Sequence, residues 1–123
     1  MLYTILCYNS EPVITQWTKE EDDAVMARLA VVHEKIASRG KLGPVVRLDF
    51  TRTASTLRKD REPAVVTDGP YAETKEALLG FYVVDAESNE EIMEITRELG
   101  RANPGGAYEV RPIIFFQPGT DLD

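Results

Sequence analysis

The feature that most constrains the fold is a set of short segments that are apolar at both alternating positions. An antiparallel sheet with one solvent-facing side alternates apolar with polar residues, so these segments predict strands that need cover on both faces. The opposing sets are Tyr3, Ile5 and Cys7 against Leu2, Leu6 and Tyr8; Phe81 and Val83 against Tyr82 and Val84; and Ile113 and Phe115 against Val110, Ile114 and Phe116.

Capping patterns and apolar periodicity predict the remaining elements. Thr18 and Glu21 form a capping box for a helix that continues to Gly40, and Ser88 with Glu91 repeats the pattern for a helix that closes at Gly100. Between these helices the pattern predicts a strand over 45–50 that resumes weakly in 54–58, a hairpin return over 63–67, and a strand over 80–86. Residues 1–8 predict the first strand, 11–17 a connector, 108–116 the last strand and 117–123 a flexible tail.

This order of elements is the split βαβ pattern of ferredoxin-like α+β domains. Both helices are then expected on one face of an antiparallel sheet. Because a bare apolar sheet face is larger than the apolar patches that monomers usually expose, we expect a second copy of the chain to cover the other face. The sequence therefore predicts a homodimer.

Size and charge limit the classes of partner. A chain of 123 residues predicts one domain over 1–123, and its net charge of −7 has the wrong sign for neutralising nucleic acid phosphates. The basic cluster is interpreted as a solvated hairpin; it consists of Arg52, Arg58, Lys59 and Arg61. No apolar segment approaches the ~20 residues of a membrane-spanning helix, and the first residues carry no basic export signal. We therefore expect neither nucleic acid nor membrane as a partner.

The single cysteine and the single histidine restrict redox and metal chemistry. Cys7 cannot form a disulfide within one chain, and a lone apolar-flanked cysteine predicts the cytoplasm. Because His33 is the only histidine and Cys7 the only cysteine, one protomer has too few nitrogen and sulfur ligands for a tetrahedral metal site. We expect no metal and no cofactor.

Residues 68–76 read DGPYAETKE, and this segment resembles the signature of YCII-related proteins, specifically the branch named for a DGPFAETKE motif. Tyr71 stands where that motif has Phe. Residues 80–82, GFY, and 109–112, EVRP, are also similar to the family pattern. The resemblance implies a dimeric α+β barrel with a cleft near the motif, and a regulatory setting, because members are often linked to sigma factors of the extracytoplasmic-function type.

The motif itself predicts a sharp turn. Asp68 can bond downstream amides, Gly69 permits positive φ, and Pro70 suits the start of a helical turn whose free amides favour an anion. If that turn is helical, Glu73 and Glu76 share a face. The candidate ligand-binding residues are Asp68, Gly69, Pro70, Tyr71, Glu73, Thr74 and Lys75. The structural alternative is that Asp68 and Glu73 brace the loop or contact a partner subunit.

Three functions remain open at this stage. The first is binding of a small molecule in a cleft near the motif. The second is a small cofactor-free enzyme, a lyase or isomerase acting on a small organic acid, with Asp68, Glu73 and His33 as candidate catalytic acids and bases. The third is a protein-interaction module for a sigma factor.

Overall fold

The computed structural model describes residues 1–122, so the last residue of the predicted flexible tail, Asp123, lies outside the described residues. The elements in chain order are β1 (Leu2–Asn9), α1 (Glu11–Thr15), α2 (Lys19–Ser38), β2 (Leu42–Arg47), a 3-10 turn (Thr51–Thr53), β3 (Ser55–Arg58), β4 (Val65–Asp68), β5 (Ala77–Asp85), α3 (Asn89–Ala102) and β6 (Ala107–Pro112).

Four of the strands form one antiparallel sheet in the order β2, β5, β1, β6. Both long helices pack on one face of it, because the core joins Leu29 of α2 and Ile95 of α3 to Ile5 and Tyr82, which pair directly across β1 and β5. The architecture is a mixed α+β fold with an antiparallel sheet, consistent with the predicted ferredoxin-like domain.

The helix starts are fixed by the side chains that the sequence indicated. The Thr18 hydroxyl accepts a hydrogen bond from the Glu21 amide, and the Glu21 carboxylate accepts one from the Thr18 amide, which confirms the capping box. At α3 the Ser88 hydroxyl accepts from the Glu91 amide, but the Glu91 carboxylate accepts from the amide of Glu87 instead. Both α2 and α3 therefore begin with a satisfied amide at their third position.

The predicted hairpin forms a separate two-stranded sheet of β3 and β4. Leu57 and Val66 are direct cross-strand partners in it, and both are exposed. An isolated two-stranded hairpin is marginally stable in water. The exposed apolar pair is therefore a surface of this chain that a further contact can cover.

The last strand is shorter than predicted. We expected it to run to Phe116, but β6 ends at Pro112. The Ile113 amide still donates to the Leu2 carbonyl. Because β1 begins at Leu2, the residues after Ile113 have no strand residue to pair with. Ile114 and Phe115 are consequently exposed. Their predicted alternation across a sheet was wrong.

Other boundaries move by smaller amounts. The predicted connector over 11–17 contains the short helix α1, and the strand predicted over 45–50 runs over Leu42–Arg47. Strand β5 starts at Ala77, earlier than predicted, and α3 passes Gly100 to end at Ala102, because Leu99 and Ala102 are both buried against the core.

The face of the sheet opposite the helices is apolar at its centre. Leu6 and Phe81 are direct partners on this face, as are Thr4 and Val83. Val83 is buried, whereas Leu6, Phe81 and Thr4 are half-buried. Both faces of the central strands therefore carry apolar side chains, as the alternation indicated.

Candidate functional site

A pocket of about 260 Å³ lies between α2 and the helix-covered face of the sheet. Trp17, at the end of the α1 to α2 connection, and Phe50, which follows β2, are among its walls. Most of the lining is apolar, and the polar atoms come from a few side chains. This composition is typical of small-molecule sites.

The inner polar group of the pocket is a histidine and tyrosine pair. His33 Nε2 lies 2.9 Å from the Tyr82 hydroxyl, and the two rings meet edge to face with centroids 5.3 Å apart. The helix places His33 here because it follows Met26 and Leu29 at helical spacing, and both also line the pocket. The sequence left open whether His33 faces the cleft expected near the motif; in the structure His33 lines this pocket, whose lining contains none of residues 68–76.

Burial sets the charge state of the titratable groups around this pair. Desolvation lowers the pKa of His33 below its usual value and raises the pKa of Tyr82, which the nearby Tyr108 and Cys7 raise further. Burial also raises the pKa of Tyr108, and it raises the pKa of the Cys7 thiol to about 12. All four groups are therefore neutral near pH 7, and the inner pocket offers hydrogen bonds without charge.

At the pocket wall Arg47 of β2 forms a two-point ion pair with Asp22 of α2. The two guanidinium nitrogens lie 3.0 and 3.3 Å from the two carboxylate oxygens, the geometry in which both charges satisfy each other. Beside it, the carboxylate of Asp49 accepts hydrogen bonds from the Phe50 amide and from the Thr53 hydroxyl. The charged side chains of the lining are thus already engaged within the chain.

Glycine is required where the pocket meets the sheet edge. A side chain at Gly80 would bring its Cβ to 2.4 Å from the Val46 carbonyl oxygen, so only glycine allows β2 and β5 to pair this closely. Gly80 and Val46 both line the pocket. The GFY segment singled out in the sequence therefore contributes to the pocket through Gly80 and Tyr82.

The DGPYAETKE motif lies in the loop from β4 to β5, outside the lining of this pocket. Within the described residues 1–122, none of residues 68–76 belongs to the lining. Residues 69–76 form bends and irregular loop, so the helical turn considered for Pro70 is not present and Glu73 and Glu76 do not share a helix face. The motif leads directly into β5, three residues before Leu79 of the pocket wall.

Contacts within the motif brace the hairpin. The Gly69 amide donates to the Ala54 carbonyl, and the Thr56 hydroxyl donates to the Gly69 carbonyl; Gly69 takes the positive φ expected for it. Farther along, the Arg58 guanidinium stacks over the exposed Tyr71 ring.

Beyond Gly69 and Pro70 the motif is open to solvent. Gly69 and Pro70 are half-buried, whereas the remaining candidate residues are exposed; these are Asp68, Tyr71, Glu73, Thr74 and Lys75. The structure therefore brings His33 together with Tyr82, and it does not bring His33 to within hydrogen-bond distance of Asp68 or Glu73.

Several pocket residues were not predicted from the sequence. Asp22 lies in an acidic run at the start of α2 and pairs with Arg47 of β2. Arg47 could not be identified from the sequence, because its role depends on β2 lying beside α2. The residues of this pocket that the sequence did single out include His33 and, within the GFY segment, Gly80 and Tyr82.

Two kinds of feature are absent from residues 1–122. In that range no helix is both long and apolar enough to cross a bilayer. Over the same residues no cluster of three or more histidine, cysteine, aspartate or glutamate side chains is arranged to hold a metal ion.

Comparison with known proteins shows the family of this chain. Residues 1–117 match the YCII-related domain. The chain belongs to the YCII-related family. Among similar proteins, an uncharacterised protein of Rhizobium meliloti (strain 1021) is 52% identical to this chain over 120 residues, which cover 97% of each of the two chains. The family match spans both the motif and every residue of the pocket lining.

Proposed function

We propose that this YCII-related chain is a cytoplasmic, homodimeric protein of the DGPF branch that binds a small molecule in the pocket between α2 and the sheet. The observation that carries the proposal is the His33 and Tyr82 pair, joined at 2.9 Å inside a pocket of about 260 Å³. A cavity of roughly 150 Å³ already accommodates a benzene ring. The pocket thus has room for a small organic molecule and a hydrogen-bonding group to orient it.

The location differs from the one that the motif alone favoured. Asp68 and Tyr71 are exposed, whereas Trp17, Leu29 and His33 line a concave, partly open pocket with mainly apolar walls. Burial of apolar ligand surface supplies most of the affinity for small molecules, so the concave pocket is the stronger candidate. The motif then serves to brace the hairpin and to contact a partner subunit.

The homodimer is supported by apolar surface outside the pocket. Leu6 and Phe81 on the helix-free sheet face are only half-buried in the single chain, and Ile114 and Phe115 after β6 are exposed. Exposed apolar side chains of this kind are typical of an interface, and a symmetric dimer is the commonest way to bury them. The dimer leaves the pocket on the opposite, helix-covered face of each sheet.

A second candidate function is acid and base catalysis in the same pocket. The direct hydrogen bond between His33 and Tyr82 favours it, because such a pair can move a proton to or from a bound molecule. The pair differs from the predicted Asp68, Glu73 and His33 set, of which only His33 lines the pocket. Turnover of a bound compound that is lost in His33→Gln while binding persists would favour catalysis over binding alone.

A thermal-shift screen against a metabolite library tests the proposal, because a ligand that binds the folded state raises the unfolding temperature. Each hit is then titrated against Tyr82→Phe and Asp68→Asn. We expect Tyr82→Phe to weaken binding and Asp68→Asn to leave it unchanged. The reverse result would move the ligand to the motif. If none of the hits binds more weakly to Tyr82→Phe, the pocket site is contradicted.

A further inference from the structure

The electrostatics of the pocket define the class of ligand, given that the pocket binds a small molecule as proposed above. A ligand that enters it exchanges water for the groups that line the walls. Any charge that it carries must then be compensated by an unpaired charge of opposite sign, because a buried charge without a partner is strongly disfavoured.

Compensation for an anion would have to come from Arg47 or His33. Arg47 already meets both carboxylate oxygens of Asp22, at 3.0 and 3.3 Å. His33 is hydrogen-bonded to Tyr82, and burial lowers its pKa, so it carries no charge near pH 7. A ligand carboxylate would therefore meet a guanidinium whose charge is already offset by Asp22.

Compensation for a cation is equally restricted. Asp22 is held by Arg47, and the Asp49 carboxylate accepts from the Phe50 amide at 2.8 Å and from the Thr53 hydroxyl at 3.2 Å. Asp49 is also exposed, so water screens its charge. Asp22 is therefore not a free partner for an ammonium group, and the charge of Asp49 has no cation beside it within residues 1–122 but is weakened by water.

We infer that the pocket selects neutral, mainly apolar ring compounds carrying one hydrogen-bonding group, and discriminates against anions and cations of the same shape. The ring packs among Trp17, Leu29 and Phe50, and its polar group meets the His33 and Tyr82 pair. The organic acid considered as a substrate from the sequence is then a poor fit to this pocket.

Three probes of nearly equal size test this selection: benzyl alcohol, benzoate and benzylammonium. Trp17 is the single tryptophan of the chain and lines the pocket, so its emission reports occupancy directly. At pH 7 we expect the affinity for benzyl alcohol to be at least about tenfold higher than for either charged probe. Only the charged probes give up the hydration of a charge that no group of the pocket replaces. Tighter binding of benzoate or benzylammonium would overturn the selection while leaving the pocket site intact. Failure of all three to change Trp17 emission would instead count against the pocket itself.

A variant of the ion pair tests the physical cause. Asp22→Asn frees Arg47, and we expect benzoate affinity to rise about two- to fivefold, the range for a partly exposed charge pair, while benzyl alcohol affinity stays unchanged. Asp23→Asn is the matched control: it removes the same charge one residue later, from an exposed pair with Lys19 that lies outside the pocket lining. An equal gain of benzoate affinity in both variants would show a general charge effect and overturn the assignment to Arg47 and Asp22.

Discussion

The Nε2 atom of His33 and the hydroxyl of Tyr82 lie 2.9 Å apart, and this bond ties α2 to the central strand β5 across the floor of the pocket. Both side chains therefore have two roles, since they join a helix to the sheet and they present polar atoms to a ligand. Removing one partner should affect stability and binding together.

Tyr82→Phe is expected to lower the free energy of unfolding by about 1 kcal/mol, the usual net value of one hydrogen bond in a partly buried site. The ring remains, so the apolar core is retained. Urea denaturation measures the change, and Tyr71→Phe is the matched control because that ring is exposed and its hydroxyl makes no hydrogen bond within residues 1–122. Equal effects of the two variants would contradict a structural bond at Tyr82.

The pH dependence of stability should follow His33. Because burial lowers the pKa of His33 in the folded chain, the unfolded chain binds the proton more readily between the folded pKa and the unfolded value near 6.5. Stability is therefore full above pH ~6.5 and is lost as the pH falls through the folded pKa.

As the only histidine, His33 gives a single ring signal whose NMR titration measures the folded pKa directly. A midpoint above 6.5 would contradict the burial of this ring. In His33→Gln the part of the pH dependence that begins as the pH falls below about 6.5 should disappear, with the residual slope coming from carboxylates.

Cys7 should react slowly with iodoacetamide. Burial raises its pKa to about 12, and the thiolate is the reacting form, so at pH 8 the rate should be about a thousandfold below that of an unperturbed thiol. Mass spectrometry of the intact chain follows the reaction at this single cysteine. Denaturant should restore the ordinary rate, and an ordinary rate in the folded protein would mean that the inner pocket is open to water.

The dimer predicts a particle of twice 13.8 kDa in light scattering at micromolar concentration. Ile114→Glu, which changes a fully exposed side chain and so leaves the single-chain fold intact, should shift the particle towards the monomer. Val31→Glu is the control, because it places the same charge on an exposed position of α2. If the wild-type particle has the mass of one chain, no second copy covers the helix-free sheet face and the proposed dimer is contradicted.

The sequence predicted the parts of the fold that depend on local patterns. Thr18 and Glu21 marked the start of α2 because a capping box acts within four residues, and the helical stripe through Leu29 followed from spacing alone. The end of β6 was missed, because strand length depends on how far the partner strand β1 extends and not on the apolar character of Ile113–Phe116.

The site was predicted only in part, for a related reason. His33 was a candidate acid or base from the sequence, but Arg47 and Asp22 are 25 residues apart, and no local pattern indicates that β2 brings them together. The motif drew attention because it is compact in sequence, although its exposed side chains and its contacts with Ala54 and Thr56 are those of a braced loop.

A crystal soaked with benzyl alcohol tests the central claim most directly, because it shows where a small neutral molecule is held. We predict density for the ring between Trp17 and Leu29, with the hydroxyl within hydrogen-bond distance of His33 or Tyr82. Density at the loop of residues 68–76 with an empty pocket beside His33 would contradict the account.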